Sequence, residues 1–393
     1  MEISLFNIDD GYTEALCRGF RSGFLTPEDY RRLGGADSLE DVRTALEDTD
    51  YGTFLQDEPA PLAVTTIGQK AREKLAQEFR HLRAQAAGPL GKFLDFVAAE
   101  KMIDNVVNLI QGTINKKAAA DLLGKVDPLG WFPEMKAIAS MDVSAGYEDI
   151  YKTILIDTPV GPYFEAYLKQ VAPSETESRT MGEMGSIFGE TDLELMKNSL
   201  KKAWLEDFYE FCSKLGGTTS EVMGHILKTE SDFRVLLVTL NSLNTNLGTT
   251  QQLQDRNALY PSLGYLYPEG TDRIRKAWNE TTVKQAIEPF GRYSQLYEQC
   301  KGFYAKEGDP GAAAAAVGGG SAFKLKSLED LLYVEQVNLF EMAFEQQFHY
   351  GVFYAWVKLK EQEIRNIMWI ADMVLMGGKE HVEDIVRIFE PRF

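Results

Sequence analysis

One helical face recurs three times along this chain at near-equal intervals. Glu361, Arg365, Trp369 and Asp372 are spaced 4, 4 and 3 residues apart. The same spacing picks out Glu230, Arg234, Val238 and Asn241, and again Glu100, Asp104, Asn108 and Gln111. Apolar positions keep step: Ile103, Phe233 and Ile364; Val106, Leu236 and Ile367; Ile110, Leu240 and Ala371. Spacings of 4, 4 and 3 are what any face of an α-helix gives. The periods are the stronger signal. Glu100 to Glu230 is 130 residues and Glu230 to Glu361 is 131, each close to a third of 393. A second marker precedes each copy: Asp50-Tyr51-Gly52-Thr53-Phe54, Gly161-Pro162-Tyr163-Phe164 and Phe290-Gly291-Arg292-Tyr293. Tyrosine to glutamate is 49, 67 and 68 residues, and two loop-like insertions account for the longer intervals. The expectation is an all-α fold of three similar helical domains, 1–118, 119–248 and 249–393, an internal triplication.

Patterning elsewhere agrees. Thr65–Ala84, Leu193–Lys214 and Leu328–Gln347 carry apolar residues at three- and four-residue spacing with Glu, Lys and Gln between them. Alternating β-branched runs closed by Asn-Gly or Asp-Gly turns are nearly absent. Pro173 to Gly189 is rich in Ser, Thr, Glu and Gly. Glu307 to Ser321, with five alanines and Gly318-Gly319-Gly320, reads as a mobile low-complexity loop.

The charge balance excludes some partners. Fifty-nine acidic against 41 basic side chains give a formal charge of −18. Non-specific nucleic-acid binding needs a cationic face, as does docking on anionic lipid headgroups. The first ten residues lack the basic and apolar regions of a secretory signal. The most apolar stretch, Tyr350 to Val357, is closed by Lys358 and Lys360, too short for a membrane span. Cys17, Cys212 and Cys300 are odd in number and widely spaced, which fits a reducing compartment.

The side chains of common chemistries do not assemble. His81, His225, His349 and His381 form no HExxH pattern, and Glu345 with His349 reads as a surface contact. Gly88-Pro89-Leu90-Gly91-Lys92 lacks the length and the hydroxyl of a phosphate loop and reads as a plain turn. Asp9-Asp10 resembles half of the magnesium motif of all-α prenyl-transfer enzymes, but no second cluster follows, so helix capping is expected. No catalytic residue, metal site or cofactor is expected, and the balance favours assembly work. A generic helical adaptor or tether is the alternative reading.

Ordered blocks across nearly the whole chain carry a family resemblance. They begin with Phe6-Asn7-Ile8-Asp9-Asp10-Gly11-Tyr12 and Arg18-Gly19-Phe20-Arg21-Ser22-Gly23. Thr49-Asp50-Tyr51-Gly52, Met102-Ile103-Asp104-Asn105, Pro128-Leu129-Gly130-Trp131-Phe132 and Asp157-Thr158-Pro159 follow, then Leu205-Glu206-Asp207-Phe208-Tyr209 and Tyr265-Leu266-Tyr267-Pro268. The most specific runs from Phe348-His349-Tyr350-Gly351 through Trp356-Val357-Lys358-Leu359-Lys360-Glu361 to Trp369-Ile370-Ala371. Together they resemble the subunit d family of V-type proton ATPases, which has a relative in the archaeal-type ATPases. Departures are local: Asp372-Met373 stands where Glu-Cys is usual, Asp127 where histidine is frequent, and the tail from Met376 is divergent. The resemblance implies three related domains in a pseudo-threefold funnel. It also implies a place on the proteolipid c-ring, at the cytoplasmic face of acidic organelle membranes, receiving central-stalk subunits of the D and F types. Membrane association would run through the ring.

On a helical wheel Ile364, Ile367, Met368, Ala371 and Leu375 share a side expected to face the core. Glu361, Arg365, Trp369 and Asp372 share another, with Glu361–Arg365 a favourable i,i+4 pair and Arg365 placed to stack on Trp369. With Glu230, Arg234, Glu100 and Asp104 they are the candidate interface residues, Trp369 being the expected anchor.

Overall fold

Apolar residues at helical spacing become helix throughout the computed structural model, which describes residues 3–140, 158–171, 190–243, 256–300 and 328–389. Five short helices open the chain: α1 (Ile3–Asp9), α2 (Gly11–Gly19), α3 (Pro27–Gly34), α4 (Leu39–Glu47) and α5 (Gly52–Leu55). The long pair α6 (Val64–Gln85) and α7 (Gly88–Ile114) follows, then α8 (Ala119–Leu123), α9 (Met135–Ala139) and α10 (Gly161–Val171). Next come α11 (Glu190–Leu215) and α12 (Gly217–Leu243), then α13 (Glu269–Arg275), α14 (Glu280–Ile287) and α15 (Gly291–Cys300). A last pair, α16 (Leu328–Ala343) and α17 (Gly351–Met376), is followed by a short tail. Among the described residues there is no strand, so the all-α expectation holds. The segment expected to be a mobile loop, 307–321, and the Ser/Thr/Glu-rich 173–189 lie outside the described residues.

Three helices read from the sequence are α6, α11 and α16, and their ends have local causes. Thr26 and Asp29 form a reciprocal capping box at α3, and Asn279 and Thr282 form another at α14. α16 stops short of the expected Gln347 because the N-terminal helices claim the next turn. Arg18 donates to the carbonyl oxygens of Phe344, at 2.8 Å, and Gln346, while Glu14 accepts from the Phe348 amide at 3.0 Å. Phe348 adopts a left-handed φ of 63°. His349, expected at the surface, is buried, its Nε2 lying 3.1 Å from the Ala343 carbonyl and 3.2 Å from that of Gln346. Two further expectations are corrected. Asp10 occupies the N-cap position of α2, but its carboxylate accepts from the Tyr350 hydroxyl at 2.6 Å and not from the α2 backbone. Gly88-Pro89 is the first turn of α7, where proline's missing N–H costs nothing.

The chain divides into two compact units, residues 1–223 with 340–393, and residues 224–339. In the first, α7 packs against α11, and α17 against α6, α2, α3 and α4. Its core is a run of aromatic contacts: Phe208 lies 5.2 Å from Phe93, 5.1 Å from Phe96 and 5.8 Å from Tyr354, ring centre to ring centre. The Trp204 indole beside them donates to the Phe96 carbonyl at 2.8 Å, satisfying its one polar atom. In the second unit Phe233, Leu236, Tyr260, Leu266, Ile274, Ile287, Tyr293 and Leu332 form a separate core. Glu100, Glu230 and Glu361 fall within α7, α12 and α17, which are 27, 27 and 26 residues long. Each follows another helix in chain order, α6, α11 and α16 respectively.

Close approach of α6 and α17 depends on Gly68, where an added Cβ would lie 2.5 Å from the Met368 sulfur. Gly68→Val is therefore expected to push the two helices apart at a cost of about 1–3 kcal/mol. A chemical denaturation midpoint equal to that of the parent chain would refute that packing account.

Candidate functional site

Spacing on α7 and α11 sets up a ladder of opposite charges. Glu100 and Asp104 are one turn apart on α7, and Lys197 and Lys201 one turn apart on α11, so each pair presents a single face. Lys201 lies 2.7 Å from Asp104 and 3.7 Å from Glu100, and Lys197 lies 3.7 Å from Asp104. α17 joins from the other side: Lys358 lies 2.5 Å from Glu100, and Glu361 lies 2.8 Å from Lys101. These side chains are mostly covered, so their attraction is poorly screened. Burial disfavours the Glu100 carboxylate, but Lys358, Lys201 and Lys101 outweigh it and hold the group well below the usual carboxylate range. Burial likewise opposes the charge on Lys101, and Glu361 and Glu100 overcome it, raising the ammonium above its ordinary value. Asp127, at the edge of the cluster, is raised by burial, with Lys101 only partly offsetting it.

The structure thus brings together three of the expected interface residues, Glu100, Asp104 and Glu361, and uses them between helices of one unit. Glu361 pairs with Lys101, while Arg365 donates to Gln362 at 3.1 Å. Trp369 stands 39% exposed, with its indole N–H on the His381 carbonyl at 2.9 Å, so it pins the tail that follows α17. Asp372 is half-buried one turn on. Ile364, Ile367 and Ala371 are buried as expected and Met368 is partly so, but Leu375 is 64% exposed. The final turn of α17 has passed the core, and Met376 beside it is exposed too. Glu230 and Arg234 lie in the second unit, both half-buried.

Sequence reasoning missed the more deeply buried polar group. Lys360 and Glu363, 2% and 0% exposed, form an ion pair at 2.9 Å. Glu363 also accepts from the Tyr51 hydroxyl at 2.7 Å and the Leu25 amide at 2.6 Å, and Lys360 donates to the Gly23 carbonyl at 2.7 Å. The Lys360 ammonium lies 4.4 Å from the ring centre of Phe24 and 5.0 Å from that of Tyr51. Tyr293 in the second unit donates in the same way to Asp232, and Tyr163 to Asp207 at 3.0 Å. All three marker tyrosines thus hold a carboxylate. The signal that could have found two of them is an acid two residues after the repeat glutamate, at Asp232 and Glu363; Met102 fills the third place.

Burial pushes the thiols of Cys17 and Cys212 up, away from thiolate reactivity. Among the described residues no group of three or more His, Cys, Asp or Glu side chains is arranged to hold a metal ion. No described helix is long and apolar enough to cross a membrane. What the charged face accomplishes is helix-to-helix fixation within the first unit.

A model of the ATP synthase (C/AC39) subunit family matches residues 13–385. The V-type proton ATPase subunit d of Dictyostelium discoideum is 41% identical over 384 residues, covering 98% of this chain and 96% of that protein. The protein of the same name from Neurospora crassa is 37% identical over 393 residues, and that from Saccharomyces cerevisiae 32% over 391, each covering 99% of this chain and all of the relative. The chain belongs to the ATP synthase (C/AC39) subunit family, among the members named V-type proton ATPase subunit d.

Replacing Glu100 by glutamine removes the charge on which Lys358 and Lys201 converge. The expected cost at neutral pH is about 1.5–3 kcal/mol, the range for hydrogen bonds to charged groups. A carboxylate held low by folding stabilises above its unfolded pKa and loses that contribution as the pH falls through its folded value. The gap between parent and Glu100→Gln should therefore persist at about pH 5 and close only in stronger acid, as followed by urea titrations. A gap that closes by pH 5 would refute the assignment.

Proposed function

We propose that this chain is a non-catalytic subunit of the membrane sector of a V-type proton-pumping ATPase, and that it couples the central stalk to the proteolipid ring during rotary transport. The observation that carries the reading is the match to subunit d proteins over at least 96% of both chains. Its partners are the c-ring and central-stalk subunits of the D and F types, and it sits at the cytoplasmic face of acidic organelle membranes, held there through the ring. The three long helices bearing Glu100, Glu230 and Glu361 are the cores of three related repeats, 1–118, 119–248 and 249–393, arranged as a funnel. Two observations support this: α7, α12 and α17 match in length and each follows another helix in chain order, and the marker tyrosines before them all donate to carboxylates.

A part that transmits torque needs internal contacts stiffer than those it makes with its neighbours. The charge ladder across α7, α11 and α17 supplies such stiffness, leaving Arg365, Trp369 and Asp372 at the end of α17 as the partner-facing group, with Glu230 and Arg234 the corresponding pair on α12. Trp369 is half-covered and holds the tail through one hydrogen bond, so Trp369→Ala should leave the isolated chain folded, at a cost of about 1 kcal/mol. In membranes the same variant should reduce assembled complex, or lower proton transport more than ATP hydrolysis. Arg365→Ala should act in the same direction, and the double variant less than additively if the two form one contact. Purification of the tagged chain from detergent-solubilised membranes tests the assignment itself, which fails if no ring or stalk component accompanies it. Normal pumping with Trp369→Ala would sink only the interface.

A further inference from the structure

Two of the tyrosine–carboxylate joints are built to one plan. In the first unit, the Leu25 amide of Gly23-Phe24-Leu25 and the hydroxyl of Tyr51, 26 residues later, both donate to Glu363. In the second, the Leu266 amide of Gly264-Tyr265-Leu266 donates to Asp232 at 3.0 Å, and Tyr293, 27 residues later, donates its hydroxyl. The Tyr265 amide adds a third bond to Asp232 at 2.9 Å. Gly264 has a φ of 125°, and a Cβ there would meet the Asp232 carboxylate at 2.2 Å, so only glycine lets the turn sit on it. Both carboxylates are fully buried.

The joints differ in their counter-charge. Three residues before Glu363 stands Lys360, which neutralises it; three residues before Asp232 stands Thr229, which donates to the His225 carbonyl at 2.9 Å. Among the described residues Asp232 has no ion-pair partner. The charged groups nearest it are displaced. Arg292, next to Tyr293 on α15, is engaged at 2.7 Å with Glu335 of α16. On α12 itself, Lys228 lies over the Tyr265 ring and His225 bonds the Tyr265 hydroxyl, with Glu230 two residues from Asp232. We propose that Asp232 is a proton-responsive clasp, tightening its hold on residues 264–266 and Tyr293 when it takes up a proton, with the Lys360-paired joint at Glu363 as the internal comparison. A proton on Asp232 need not break the joint. The Tyr293 hydroxyl can turn from donor to acceptor, and the two amides keep their oxygens. What disappears is a buried charge whose loss of hydration its three donors only partly offset.

Burial pushes the Asp232 carboxyl up, with the bonds from Tyr293, Leu266 and Tyr265 and the charge of Arg292 only partly offsetting it. A carboxyl raised by folding contributes stability that is complete below its unfolded pKa and is lost as the pH rises through its folded value. The clasp therefore loosens as the pH rises through that raised value.

Hydrogen exchange of the full chain, read by mass spectrometry as protection corrected for intrinsic rates, tests this between about pH 5 and pH 8. Protection at Tyr265 and Leu266 is expected to rise on acidification, by at most about tenfold per pH unit for one proton, with Leu25 unchanged. Asp232→Asn should abolish that slope. Lys360→Met, which strips Glu363 of its counter-ion, should transfer a slope of the same sign to Leu25, or fold only on acidification. A flat profile at Leu266 in the parent chain, or the parent's slope surviving in Asp232→Asn, would overturn the proposal.

Discussion

Everything in the first unit is referred to one buried ion pair, Lys360 with Glu363. Two charges removed from water are unfavourable unless each finds compensation, and here each does. Glu363 takes the lysine, a phenol and an amide; Lys360 takes the glutamate, a carbonyl and two aromatic faces. Every one of those partners outside α17 comes from residues 23–51, far away in sequence. The pair therefore specifies which segment docks on α17 and in which register, since a shift by one residue would strand a buried charge. Hydrophobic burial supplies the bulk of the stability, but apolar contacts alone would tolerate sliding.

Around that fixed point the polar contacts form a gradient. At one end of α17, Tyr350 reaches Asp10 and Thr219, and the preceding turn is held by Glu14 and Arg18. In the middle, Lys358 and Glu361 reach α7, whose acids are already held by α11. Toward the far end, Asn366 donates to the Tyr30 hydroxyl and the Val386 carbonyl, and the Trp369 indole to the His381 carbonyl, before the exposed Leu375 and Met376. Buried charge gives way along the helix to half-covered apolar surface.

Helix positions were legible in the sequence because the apolar period that marks a helix is also what buries it. Thr65–Ala84 and Leu193–Lys214 match α6 and α11 within a few residues for that reason. Polar pairing was not legible in the same way. Glu361 and Arg365 satisfy the i,i+4 rule, yet the rule describes an isolated helix, and Lys101 on a neighbouring helix offered Glu361 a less screened partner. His349 looked like surface because histidine is polar; the two carbonyls that receive it belong to a turn whose shape Arg18 dictates. Leu375 looked like core because periodicity gives direction and not where the core ends.

The tyrosine markers show what recurring spacing in a sequence adds. A single Tyr51 has no evident purpose in the sequence. Three tyrosines at matched places imply a shared task, and the structure gives each a carboxylate. The acceptors are not the same residue: Glu363 is longer than Asp232 and Asp207, and the last sits on the helix before the repeat helix, Met102 standing where the acid would be. What persists is the pairing of a phenol with whatever carboxylate a neighbouring helix offers. A repeat read only for identical residues overlooks that constraint, whereas a repeat read for unsatisfied hydrogen-bonding groups leads directly to it.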